Sequence, residues 1–316
     1  MHDKQFYSLP HVIEAQQFSR DWLERELFPL SHEMEKVVAA GGNDILRGKI
    51  MALVFTEAST RTSISFEMAM KRLGGGVIER ENAEKISSLF KGESWADMMT
   101  VVGGLMPDVI VVRHHEEGAA ACAAKVSGVP VINAGDGIGQ HPTQSLLDIY
   151  TIKKELGRIN GISIAMVGDL LNGRTVRSLS YLLGKFESVK IYFVAPPCLQ
   201  MKPDIKDYLN RHSVKFTELT DVREAAPLVD VVYQTRIQKE RGSSYDQNDS
   251  SQGYFLIDPD TVSMMKQNSI IMHPLPRVGE IAVEVDRDPR AAYFRQAANG
   301  LFVRMALLKM ILAPKA

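Results

Sequence analysis

Short apolar runs alternate with amphipathic stretches along almost the whole chain. The runs at 50–55, 108–113, 130–133, 162–167, 189–194, 229–233 and 269–272 predict buried strands. Helical spacing predicts helices at 63–73, 95–103, 118–126, 143–156, 174–183 and 203–211, with a terminal one near 293–312. Strands that alternate with helices in this way predict parallel sheets and an α/β fold.

A length of 316 residues suggests about two domains, at roughly 150 residues each. The join is expected near the helix "PTQSLLDIYTIKKELG", whose apolar Leu146, Leu147, Tyr150 and Ile152 lie near one face. The last helix, "FRQAANGLFVRMALLKMIL", is expected to return to the first half. The expected domains are therefore 1–142 plus about 299–316, and 143–298. Each is expected to be a mainly parallel sheet flanked by helices. The polar stretch "KERGSSYDQNDSSQGYF", residues 239–255, reads as a long mobile surface loop. A lid and a passive insertion both fit it.

Composition narrows the classes. A formal charge of -1 argues against a general basic surface for nucleic acid or anionic lipid. No apolar run approaches the ~20 residues of a membrane helix. The first residues lack the apolar core and small-residue cleavage site of a secretory signal. Cys122 and Cys198 stand in no metal-like spacing, which fits two buried thiols in a reducing compartment. The expectation is a cytoplasmic protein with no metal and no cofactor.

Candidate chemistry lies where predicted strands end. In "ALVFTEASTRTSISFEMAMKRLGGG" an apolar run breaks into Ser59, Thr60, Arg61, Thr62 and Ser63, and a helix follows. First-turn N–H groups of a helix lack internal partners and carry partial positive charge, so this turn suits an anion. The hydroxyls of Ser59, Thr60 and Thr62 can donate to phosphate oxygens, and Arg61 can add a two-toothed grip. A Ser/Thr helix cap with an exposed arginine explains the same residues. "GDLLNGRT" mimics a P-loop, with Arg174 in place of lysine and no evident Mg²⁺ carboxylate. It reads as a strand, a turn and a helix that aims Arg174 into a cleft. "GQHPTQ" puts His141 and Gln144 at a turn into a helix, where a lone His is more often structural. Arg113 and Arg236 follow other predicted strands, where open α/β sheets bind ligands. "IIMHPLPR" repeats the arrangement with a proline-stiffened loop. Four arginines at strand ends describe a pocket for a ligand with several negative charges.

The segments "FTEASTRTS", "KGESWADMMTVV", "VVRHHEEGAA", "INAGDGIGQHPTQSLLDIYTI", "MVGDLLNGRTVRSLSYLL", "VYQTRIQKER", "MHPLPRVGEI" and "YFRQAANGLFVRMALL" occur in this order. Together they resemble the aspartate/ornithine carbamoyltransferase family over nearly the whole chain. "HPTQ", "TRIQKER" and "HPLPR" give the aspartate-specific look. The resemblance implies a carbamoyl-phosphate domain and an aspartate domain in a catalytic homotrimer with shared sites. It also implies transfer of a carbamoyl group from carbamoyl phosphate to the α-amine of L-aspartate, an early step of pyrimidine synthesis. It leaves open whether a regulatory chain or a dihydroorotase partner binds the trimer.

Carried over residue by residue, Ser59, Thr60, Arg61 and Thr62 are expected to hold carbamoyl phosphate. Thr62, Arg113 and His141 would surround the carbamoyl oxygen, and Gln144 would meet the carbamoyl amine. Carbonyls of Pro274 and Leu275, with Pro276 shaping the loop, would line the carbamoyl end. Arg174, Arg236 and Gln238 would orient aspartate. Ser87 and Lys91 would enter from a neighbouring subunit. Two departures stand out. Ser63 replaces a second arginine common in the family, and Gly279 stands where "PRVDE" is usual.

Overall fold

The computed structural model describes residues 11–81, 92–237 and 255–313. Ser87, Lys91, Gln238 and most of the polar 239–255 stretch lie outside the described residues. The chain divides into two compact units. One comprises the described parts of Met1–Gln17, Asp21–Thr143 and Gly300–Ala316. The other comprises Phe18–Arg20 and the described parts of Gln144–Asn299.

The first unit is built on a sheet of β1 (Ile50–Phe55), β2 (Gly76–Glu81), β3 (Val109–His114) and β4 (Val131–Asp136). Its order is β2-β1-β3-β4, and every pairing is parallel. All residues of β3 and β4 are buried, as are Met51 to Phe55 of β1. Helices cover a parallel sheet on both faces, so its central strands are continuous apolar runs rather than alternating ones. Met98, Met99, Ala120 and Ala123 from helices Trp95–Gly104 and Ala119–Val126 pack on Ala52, Val54, Ile110 and Val112. Cys122, on the second of these helices, is half-buried.

The second unit holds β5 (Ser163–Val167), β6 (Lys190–Val194), β7 (Lys215–Leu219), β8 (Val231–Gln234) and β9 (Ile270–Met272). The order is β7-β6-β5-β8-β9, again wholly parallel. Helix Arg174–Leu183 follows β5, and it buries Val176, Leu179, Leu182 and Leu183. Cys198 lies in the short turn of helix after β6 and is exposed, so neither thiol is buried as expected.

Both sheets reverse their winding once. In the first, the chain leaves β1 for β2 on one side and then returns to place β3 on the other. In the second, β6 and β7 lie on one side of β5, and β8 and β9 on the other. At such a reversal the loops leaving two neighbouring strands diverge, which opens a crevice at their carboxyl ends. Ser59 to Thr62 follow β1, Arg113 is the last but one residue of β3, and Arg174 and Arg236 follow β5 and β8.

The helices Pro142–Leu156 and Tyr293–Leu312 each begin among the residues of one unit and end among those of the other. The final turns, with buried Val303, Met305, Ala306, Leu307 and Leu308, are grouped with the first unit. Arg304 donates to Ser65 at 2.7 Å and lies over the Phe66 ring. No described helix is long and apolar enough to cross a membrane.

Candidate active site

In the first unit β1 ends at Phe55 and helix Thr60–Arg72 begins five residues later. The backbone N–H of Thr56 donates to the Arg113 carbonyl at 2.9 Å, which ties the end of β1 to the end of β3. Ser59 sits at the helix cap position, but its hydroxyl does not cap a backbone N–H. It donates instead to the Thr62 hydroxyl at 3.0 Å. The two hydroxyls are thus tied to each other within the first turn. Thr60 and Arg61 are exposed and Thr62 is buried. Ser63 is buried and donates to the Glu79 carboxylate of β2. The departure at this position thus makes a contact with the neighbouring strand.

Arg113 is buried at the end of β3. Its guanidinium donates to the Ala134 carbonyl at 3.2 Å and to Glu57 Oε1 at 2.8 Å. Glu57 was not foreseen, although it lies two residues before Ser59. It offers the buried guanidinium a counter-charge.

His141 is buried just before helix Pro142–Leu156, with Nδ1 3.4 Å from the Thr143 hydroxyl. The turn that presents it is organised by Asp136. Its carboxylate accepts from Asn133 Nδ2 at 3.1 Å, from the Gln140 N–H at 3.0 Å and from the Gly118 N–H at 2.9 Å. Three donors on one buried carboxylate make a stiff support. At Gly137 an added Cβ would lie 2.7 Å from the His115 carbonyl oxygen, so the turn requires glycine.

In the second unit the stretch "GDLLNGRT" forms the loop after β5 and the first two residues of the next helix. Gly168 has φ +110°, and an added Cβ would sit 2.3 Å from the Thr235 carbonyl oxygen. Asp169 Oδ1 accepts from the Asn172 N–H at 3.0 Å, closing the turn. Arg174 is buried at the first residue of its helix. Thr235 donates from N–H (2.8 Å) and hydroxyl (2.9 Å) to the Val167 carbonyl, so β5 and β8 end together. Arg236 follows, half-buried.

The loop after β9 is held by His273. Its Nδ1 accepts the Leu275 N–H at 2.7 Å, so the proton is on Nε2, 2.7 Å from Glu280 Oε1. Glu280 also accepts the Val278 N–H at 2.8 Å. Burial would raise the Glu280 pKa, but these hydrogen bonds outweigh it and lower it. The peptide Leu275–Pro276 is cis. Gly279 has φ +114° with open space where a Cβ would be, so glycine there serves backbone shape.

Each predicted site residue that is described lies at a strand end, in the segment that follows it or in the first turn of the next helix: Ser59 to Thr62, Arg113 and His141 in the first unit; Gln144, Arg174, Arg236 and Pro274 to Pro276 in the second. His114, His115 and Glu116 bring ligand atoms within 4.8 Å of one another, which the sequence reading did not anticipate. His114 Nδ1 accepts the Glu116 N–H and its ring lies against Trp95, a structural use of that imidazole.

A family model described as the carbamoyl-phosphate-binding domain of aspartate/ornithine carbamoyltransferase matches residues 10–154. A second, described as the Asp/Orn-binding domain, matches 160–311. The chain belongs to the aspartate/ornithine carbamoyltransferase family. Within it, the chain is 55% identical to the chloroplastic aspartate carbamoyltransferase of Arabidopsis thaliana, over 97% of this chain and 78% of that one. It is 50% identical to the aspartate carbamoyltransferase catalytic subunit of Methanothrix thermoacetophila, over 96% of this chain and 98% of that one. The aspartate transcarbamoylase of Trypanosoma cruzi, solved with carbamoyl phosphate and aspartate, superposes with a TM-score of 0.91. It is 41% identical, covering 97% of this chain and 98% of that one.

Proposed function

We propose that this chain is an aspartate carbamoyltransferase, which transfers the carbamoyl group of carbamoyl phosphate to the α-amine of L-aspartate. The products are N-carbamoyl-L-aspartate and phosphate, and the reaction feeds de novo pyrimidine synthesis. The observation that carries this reading is the placement of Ser59–Thr62 after β1, of Arg113 at the end of β3, and of Arg174 and Arg236 after β5 and β8, at the two winding reversals.

In this reading Ser59, Thr60, Arg61 and Thr62 grip the phosphate at the first turn of their helix. Thr62, Arg113 and His141 donate to the carbamoyl oxygen, where negative charge grows as the amine attacks. Preorganised donors of this kind are worth about 3 kcal/mol each. Gln144 and the carbonyls of Pro274 and Leu275 accept from the carbamoyl amine, with Pro276 shaping the loop. Arg174 and Arg236, with Gln238, hold the two carboxylates of aspartate and disfavour an acceptor with a cationic tail. His141 works by hydrogen bonding and position. The proton lost from the attacking amine goes to the departing phosphate, which gains charge as the C–O bond breaks. Holding both reactants in line supplies much of the rest, up to ~7–11 kcal/mol.

We further propose a homotrimer in which Ser87 and Lys91 complete a neighbouring protomer's site. The unpaired thiols of Cys122 and Cys198 suit a reducing compartment, which we take to be the cytoplasm. The experiment is colorimetric assay of ureido products with carbamoyl phosphate and a panel of amines: aspartate, ornithine and a diamine. Turnover with aspartate alone is expected; preference for ornithine or the diamine would overturn the acceptor assignment.

A further inference from the structure

A carboxylate in the middle of a helix, four residues after Gln144, is absorbed by none of the roles above. Asp148 is fully buried. Its Oδ1 accepts from Gln144 Nε2 at 2.8 Å and from Gln296 Nε2 at 2.6 Å, and its Oδ2 accepts from the Tyr233 hydroxyl at 2.7 Å. All three partners donate, and only an acceptor can satisfy them together. Tyr233 keeps the proton it donates, because burial and the neighbouring Asp148 charge push its phenol far above its ordinary pKa.

Each donor has a second end. The Gln296 carbonyl oxygen accepts the His273 N–H at 2.8 Å, so that amide links Asp148 to His273. His273 in turn accepts the Leu275 N–H at 2.7 Å. Gln144 is only half-buried. With its Nε2 tied to Asp148, its Oε1 is the end left to meet a ligand, as an acceptor. Tyr233 lies three residues before Arg236 on β8.

We propose that Asp148 is a positioning residue that turns the Gln144 amide oxygen, and through Gln296 and His273 the loop carbonyls at 274–275, toward the carbamoyl N–H₂. Its function is to make the site recognise a carbamoyl rather than an acyl group. An amide can turn either end to a ligand; a buried carboxylate that demands a donor removes that freedom. Selectivity for the N–H groups of the donor substrate then rests on acceptors whose polarity is set by one anion that does not itself touch substrate. The inference rests on the donor-site reading given above.

The test uses the full-length protein and two phosphate compounds of nearly equal shape, carbamoyl phosphate and acetyl phosphate. In acetyl phosphate a methyl group stands where the amine would donate. Wild type is expected to bind carbamoyl phosphate more tightly. Asp148→Asn keeps the shape but offers Gln144 a donor as well as an acceptor. It is expected to lose about tenfold to a hundredfold in carbamoyl-phosphate affinity and kcat/KM. Acetyl-phosphate affinity should stay within about twofold, because no acceptor is asked of the site. Equal losses for both compounds would make Asp148 a structural residue and overturn the inference, as would unchanged discrimination. Wild type that bound neither compound would overturn the donor-site reading itself, a separate outcome.

Gln144→Glu asks the same question if Asp148→Asn does not fold. A carboxylate at that position keeps an acceptor but cannot donate to Asp148. If Asp148 directs the side chain at position 144, the two carboxylates repel and discrimination is lost. If that side chain orients itself unaided, the Gln144→Glu variant still prefers carbamoyl phosphate and the inference falls.

Discussion

Glu57 and Arg113 form an ion pair at 2.8 Å between the loop after β1 and the end of β3. The Arg113 side chain is 10% exposed and that of Glu57 33%. The pair presets a buried guanidinium at a position where charge is proposed to develop. Arg113→Ala is expected to lower kcat by about 10²–10³. The fold should survive, because Glu57 is open enough to be hydrated. Steady-state carbamoyl-aspartate formation and circular dichroism together check this. A kcat within a few-fold of wild type would remove Arg113 from the donor set.

Arg61 is exposed in the first turn of helix Thr60–Arg72, so little packing depends on it. Arg61→Ala should abolish measurable turnover and leave Tm within a degree or two of wild type. Thermal melts and product assays at saturating aspartate make the comparison. Near-normal rates would exclude Arg61 from phosphate binding.

The proposed sharing of sites has its own signature. In the proposed homotrimer, the Lys91→Ala and Arg113→Ala proteins should each keep no more than about a hundredth of wild-type activity. Dissociated, mixed and reassembled, they should recover part of the wild-type activity, because some sites then draw both intact residues from different protomers. Verified hybrids that stayed inactive would place Lys91 and Arg113 in sites built from one chain.

Gly168 has a positive φ and meets the Thr235 carbonyl where a Cβ would be. Gly168→Ala should destabilise the second unit by about 2–4 kcal/mol. Because this turn aims Arg174, the KM for aspartate should rise while carbamoyl-phosphate binding changes less. Chemical denaturation and substrate titrations read out the two effects.

Glu280 is held below its ordinary pKa of 4.5 although burial opposes this, by hydrogen bonds from His273 and the Val278 N–H. A group whose pKa is lower folded than unfolded adds stability above its unfolded value. That stability is lost as the pH falls through the folded value. Glu280→Gln should therefore be less stable than wild type near neutrality, and the two curves should converge in acid. Denaturation midpoints between pH 3 and 7 give the answer; parallel curves would contradict the assignment.

Much of the fold could be read from the chain because its central strands are continuous apolar runs. β1, β3, β5 and β6 fall within a residue or so of their expected bounds. β7 did not show, because "KFTEL" is a half-exposed edge strand with little apolar signal. The helix Phe28–Ala39 was missed as well. It buries only Phe28, Ser31 and Met34, and a π turn at Leu23–Leu27 precedes it, which blurs the helical period. The arginines at strand ends were legible because charge next to an apolar run is conspicuous. Glu57, Asp136 and Asp148 were not, since a carboxylate in sequence looks the same whether solvated or buried. Their role depends on which donors the fold brings to them. Only the spacing of four between Gln144 and Asp148 hinted at a shared helix face.

The terminal helix Tyr293–Leu312 has a consequence for how the protein is made. The described residues of 144–299 make up nearly all of one compact unit, continuous in sequence. The unit that holds residues 21–143 lacks the buried Val303, Leu307 and Leu308 until the segment after residue 299 has been made. Of the two units, the one that holds residues 21–143 is therefore completed after the one that holds residues 144–299.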